Sequence, residues 1–140
     1  MKISIGADHR GYVLKKMLID HFRQYEFLDV GTFSQDRTDY PLFAKKVCKD
    51  ILEGKASVGI LICGSGVGMS IAANRYKKIY AALCWSLAVV RQAKAHDKAN
   101  ILVVPADFIT EQLAYDMVTA WLEEPFKEGV YAERLMLVDQ

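Results

Sequence analysis

Three cysteines in 140 residues, Cys48, Cys63 and Cys84, are too few, odd in number and unclustered, which excludes a disulfide framework and a cysteine zinc site. The three histidines, His9, His21 and His96, show no ligand spacing with carboxylates, so no metal centre is expected. No apolar run approaches the ~20 residues of a membrane span. Neither charge dominates: 18 basic side chains stand against 17 acidic ones, a net charge of +1, which gives no electrostatic case for nucleic acid or a membrane surface. Repeats, linkers and low-complexity segments are missing, and the first residues read as a strand rather than a signal peptide. A single cytoplasmic domain is expected, since a chain of 140 residues that is 52% apolar is large enough for a real core and too short for two.

The stretch with the most to say is Gly59-Ile-Leu-Ile-Cys-Gly-Ser-Gly-Val-Gly-Met-Ser-Ile-Ala-Ala-Asn74. It opens as a buried strand ending at Cys63, breaks into Gly64, Gly66 and Gly68, and closes as a helix of small residues. Glycines let backbone approach a ligand, and a helix start offers unpaired N–H groups at its positive end, so the loop can hold an anion. Cys63 lies at its lip and Ser65 within it. A thiol beside a helix start is expected to ionise more easily than a free one. The spacing excludes the dinucleotide fingerprint, the Gly-Lys-Ser/Thr phosphate loop and the nucleophile elbow. A tight turn with an inert, buried cysteine remains the competing reading at this point.

Around that stretch the chain alternates. Strands are expected at 2–6, 27–30, 58–63, 79–84 and 100–104. Helices are expected at 12–25, after Pro41, after Gly68, at 86–95 and at 110–123, with a last helical segment over about 126–137. The pattern predicts an α/β fold: a three-layer αβα domain, a Rossmann-like doubly wound parallel sheet of five strands. Ligands of such sheets gather at the carboxyl ends of the strands. The loops after the first three strands, carrying Asp8 and His9, Asp39 and Tyr40, and Cys63 to Gly68, are therefore expected to converge. Asp39 can line that pocket or simply cap the following helix.

Gly6-Ala-Asp-His, Arg37-Thr-Asp-Tyr-Pro41, the block 59–74 and the stretch His96 to Leu102 resemble ribose-5-phosphate isomerase B, whose wider family includes galactose-6-phosphate and allose-6-phosphate isomerases. The resemblance runs nearly end to end. It implies a cofactor-free aldose–ketose isomerase of a small sugar phosphate, working as a homodimer or tetramer. By resemblance, Cys63 is the general base and His96 opens the sugar ring; in the mechanism this implies, Ser65 is expected to relay a proton between O1 and O2. Asp8 holds sugar hydroxyls, His9 contacts phosphate and Tyr40 lines the pocket. The backbone of Gly64, Ser65, Gly66, Val67 and Gly68 holds the enediolate.

The chain also departs from the family pattern. Asp97 stands where asparagine is common, and Asp107 and Val130 stand where arginines are usual; Arg134 keeps the third arginine position. Arg10, where many members have a small residue, is the expected substitute for phosphate, with Lys94 behind it. Ribose 5-phosphate is the expected substrate, a six-carbon sugar phosphate the nearest alternative, and a non-catalytic sugar-phosphate sensor a reading from another class. His96 falls between the fourth helix and the fifth strand, at the amino edge of the sheet, while Cys63 falls at the carboxyl edge. A five-residue strand spans ~17 Å, so the expected site is shared across a two-fold dimer. The last helical segment is expected to pack on the partner subunit.

Overall fold

Short aliphatic runs build the sheet and amphipathic runs cover it. The computed structural model describes residues 1–140. Its strands are β1 (Lys2–Ala7), β2 (Glu26–Asp29), β3 (Val58–Cys63), β4 (Ala81–Leu83) and β5 (Ile101–Pro105), all parallel, in the order β2-β1-β3-β5-β4. Between and after them come α1 (Tyr12–His21), α2 (Tyr40–Leu52), α3 (Val67–Ala73), α4 (Leu87–Asp97), α5 (Glu111–Glu123) and α6 (Val130–Val138).

The central strands β3 and β5 are buried on both faces, which is why they read as unbroken apolar runs rather than alternating ones. Their side chains nevertheless divide by parity. Ile60, Ile62, Leu102 and Val104 join Leu18 of α1, Val90 of α4 and Met117 and Trp121 of α5 in one core. Leu61, Cys63, Ile101 and Val103 join Phe43 and Val47 of α2 and Met69 of α3 in the other. The result is the expected three-layer, doubly wound sheet. The chain leaves β1 by α1 for the β2 edge and returns by α2 on the opposite face to β3, so a crevice opens between the carboxyl ends of β1 and β3.

Three boundaries differ from the sequence reading. The first helix ends at His21 rather than near residue 25, because Phe22 turns into the core and the Tyr25 amide bonds the Phe22 carbonyl. The fourth strand is shorter at its start. There the Tyr80 amide is taken by Asn100 Oδ1 (2.8 Å) and the Ala81 amide by Asn74 Oδ1 (2.9 Å), side-chain acceptors in place of a ladder. The last helix begins at Val130 rather than near 126, because the Lys127 amide bonds the Ala95 carbonyl and Gly129 takes a positive φ of 76°.

Candidate active site

The turn after β1 is organised by Asp8. Its Oδ1 accepts from the amides of Arg10 (3.0 Å) and Gly11 (3.2 Å), and its own amide bonds the Ile62 carbonyl of β3. One carboxylate oxygen is thereby committed to the backbone. The residue is buried at the floor of a cleft of about 420 Å³ that is also lined by Arg10, Tyr40, Cys63, Gly64, Ser65, Gly68, Asp107 and Phe108.

Across the cleft, β3 ends at Cys63 and the chain bends through the glycine loop. Gly66, the residue before α3, has φ +79°, a left-handed conformation that favours glycine. The first bond of the α3 ladder is Ser70 N–H to the Gly66 carbonyl, so the preceding amides are free for other work. The Val67 amide donates to Ser65 Oγ (3.2 Å), which leaves the Ser65 hydroxyl its own proton to donate. The amides of Gly66 and Met69 lie near the Cys63 sulfur and favour its thiolate.

Those amides do not make Cys63 acidic, and here the sequence expectation is corrected. Burial pushes the thiol pKa above its ordinary value of 9.0. The two amides pull it back, and the carboxylates of Asp8 and Asp107 push it up again. Cys48 and Cys84 are fully buried, with pKa values pushed by burial to about 12 and about 11 respectively. Cys63, 5% exposed and lining the cleft, is the accessible thiol of the three.

Tyr40 opens α2 and forms one wall. A Cβ on Gly68 would lie 2.4 Å from its ring, so the loop can pass beneath Tyr40 only as glycine. Behind Tyr40 a second cleft is lined by Asp8, His9, Arg37, Thr38, Asp39 and Pro41. His9 Nδ1 accepts from the Thr38 amide (3.3 Å), so the neutral ring carries its proton on Nε2. Asp39 makes no capping bond to α2 and lines this cleft instead. Thr38 Oγ1 is buried without a partner.

Arg10 reaches over the glycine loop to Asp107, donating from Nε (2.9 Å) and from Nη2 to the same oxygen, Oδ2. Sequence reasoning noted Asp107 only as a departure and missed Phe108 and Thr38. Nothing in chain order brings the loop after β5 to the cleft. The sheet does, by pairing Pro105 with Cys63. Opposite charges at Arg10 and Asp107, in loops after two strands, were the available signal. Lys94 lies off the cleft, its Nζ donating to the Trp121 carbonyl (2.7 Å).

His96, Asp97 and Arg134 are not brought to Cys63. His96 sits near the end of α4 with its ring stacked on Tyr131 of α6 at 4.5 Å and 2° between planes, and the Arg134 guanidinium lies 5.7 Å from the Tyr131 ring centre. Asp97 ends α4 and is exposed. This second cluster lies at the opposite edge of the sheet, as the register Gly59 to Ile101 and Cys63 to Pro105 requires.

The profile of the Ribose/Galactose Isomerase family matches residues 3–138. The chain belongs to that family. It is 38% identical over 136 residues to the ribose-5-phosphate isomerase B of Escherichia coli, covering 96% of this chain and 91% of that one. A crystal structure of a ribose 5-phosphate isomerase from Thermotoga maritima superposes with a TM-score of 0.97 at 44% identity, covering 99% and 97% of the two chains. Ribose-5-phosphate isomerase B from Mycoplasma genitalium, solved with bound ribulose-5-phosphate, superposes at 0.93 with 34% identity, covering 98% and 93%. As an isomerase of this family, the chain offers a buried thiol, a hydroxyl donor, free loop amides and a guanidinium around one cleft. That set suits moving a proton between adjacent carbons of an anionic substrate.

Proposed function

We propose that this isomerase interconverts D-ribose 5-phosphate and D-ribulose 5-phosphate through an enediolate. The observation that carries the reading is the Cys63 thiol, buried with Asp8 at the floor of a cleft that Tyr40, Ser65 and Arg10 also line. The M. genitalium neighbour, which shares the fold over almost the whole chain, holds ribulose-5-phosphate.

Cys63 takes the C2 proton as the thiolate, the minor form in the free site. Negative charge then develops on the substrate oxygens against the loop amides of Gly64, Ser65 and Gly68, which the fold leaves unengaged, and a well-placed donor there contributes about 3 kcal/mol. Ser65, its oxygen already accepting from Val67, passes a proton between O1 and O2. The uncommitted oxygen of Asp8 takes sugar hydroxyls, Tyr40 forms the wall, and His9 Nε2 and Arg10 bind phosphate.

Ring opening falls to His96, flanked by Asp97 and Arg134, of the partner subunit in a homodimer. The α6 helix buries none of its residues and leaves Val130, Met136, Leu137 and Val138 exposed, apolar surface suited to packing on that partner. The test is turnover of ribose 5-phosphate beside unphosphorylated ribose. Strong preference for the phosphorylated pentose supports the reading, and equal weak turnover of both, or turnover of six-carbon sugar phosphates alone, overturns it.

A further inference from the structure

Asp107 faces the cleft with the wrong sign for an anionic substrate, and its geometry explains why it is there. Its backbone amide donates to the Gly64 carbonyl (3.0 Å), and the neighbouring Ala106 amide donates to the Cys63 carbonyl (3.0 Å), so the loop after β5 is fastened to the glycine loop. Its side chain then accepts twice from Arg10, both times on Oδ2. Arg10 is held from the other side, because its amide is bound by Asp8 Oδ1. The ion pair rests directly on Gly64: a Cβ there would lie 2.6 Å from Arg10 Nε and 2.7 Å from Asp107 Oδ2. A guanidinium has five N–H donors in a planar fork, and the bonds to Asp107 leave the Nη1 edge unengaged.

We infer that Asp107 is a positioning residue, which holds the Arg10 guanidinium across the glycine loop with its free edge available to the substrate's phosphate. The inference rests on the sugar-phosphate reading of the cleft. Released from Asp107, Arg10 is a long side chain with 58% exposure and nothing else to fix it, and immobilising it on binding costs rotamer entropy. Asp107 removes that cost in advance. It also repels the phosphate directly, so its benefit exists only while Arg10 is present.

The two opposed effects define the experiment. KM and kcat for ribose 5-phosphate, and the affinity for inorganic phosphate by calorimetry, are measured in wild type, Arg10→Ala, Asp107→Asn and the double variant. Thermal melts verify folding, which a partly exposed pair should not threaten. Arg10→Ala should weaken phosphate binding and raise KM by about tenfold, the scale of a lost charge-assisted hydrogen bond. Asp107→Asn should raise KM severalfold, with the loss falling on KM rather than kcat. In the Arg10→Ala background, Asp107→Asn should cost nothing further, or should tighten phosphate binding by removing a repulsion. Equal cost in both backgrounds would overturn the proposal, as would tighter binding by Asp107→Asn with Arg10 present. If wild type leaves ribose 5-phosphate unchanged while the phosphate titrations follow the expected pattern, the substrate assignment fails and the positioning role stands.

Discussion

Cys63 is where local and distant influences on one group compete. The amides of Gly66 and Met69 come from its own loop, and a reading of the helix start alone expects an acidic thiol. Burial and the carboxylates of Asp8 and Asp107 come from elsewhere in the chain, and together they leave the pKa raised. A group with a raised pKa keeps its proton at neutral pH, so the thiolate fraction should grow about tenfold per pH unit between 7 and 8. Alkylation of Cys63 by iodoacetamide should follow that slope, with substrate protecting. Cys48 and Cys84 are buried and should not contribute. A rate already level at pH 7 would show that the thiolate is preformed and the carboxylates irrelevant. Gly68 supplies a second residue-scale expectation. Alanine there puts a Cβ 2.4 Å from the Tyr40 ring, so the wall must move. Displacements near 1 Å commonly cost ~100-fold in rate, and Gly68→Ala should lose on that order in kcat/KM. An unchanged kcat/KM would mean that Tyr40 is not a fixed wall.

At the scale of elements, the loop from β2 to α2 delivers Thr38, Asp39 and Tyr40, and one side chain of α1 ties down its start. Lys15 is 1% exposed, and its Nζ donates to Asp29 Oδ1 (2.6 Å) at the end of β2 and to the Thr32 carbonyl (2.7 Å). Removing the lysine orphans the Thr32 carbonyl, while Asp29 is 30% exposed and keeps some water, so the loss should be about 2 kcal/mol. Lys15→Met should therefore lower Tm by roughly 6 °C, and it should also raise KM, because the slackened loop carries Tyr40. A Tm within a degree or two of wild type would mean that the pair contributes nothing net. This lock is invisible in the sequence, where Lys15 reads as one more lysine beside Lys16. The element boundaries were legible wherever apolar period decided them. They failed where a side chain overrode it, as when Asn74 and Asn100 took the amides at the start of β4.

For the whole molecule, the legible part was the convergence of the loops after β1, β2 and β3, because parallel α/β order places carboxyl ends together. Strand order was not legible, and it is what adds Asp107 and Phe108 to the cleft by setting β5 beside β3. The same order separates His96 from Cys63. The register runs from Gly59 opposite Ile101 to Cys63 opposite Pro105, and His96 lies before β5 begins. The two side chains therefore stand about one strand length, ~17 Å, apart along the sheet. No single subunit closes that gap, whereas a two-fold partner can present its own His96, Tyr131 and Arg134 stack to the Cys63 cleft. Cys63→Ala and His96→Ala should each be inactive alone. Co-refolded in equal amounts, they should form hybrids for half of all dimers, each with one intact site of two, and recover about a quarter of wild-type activity. If the mixture stays inactive although both parents fold and dimerise, His96 and Cys63 do not act on one substrate across the interface.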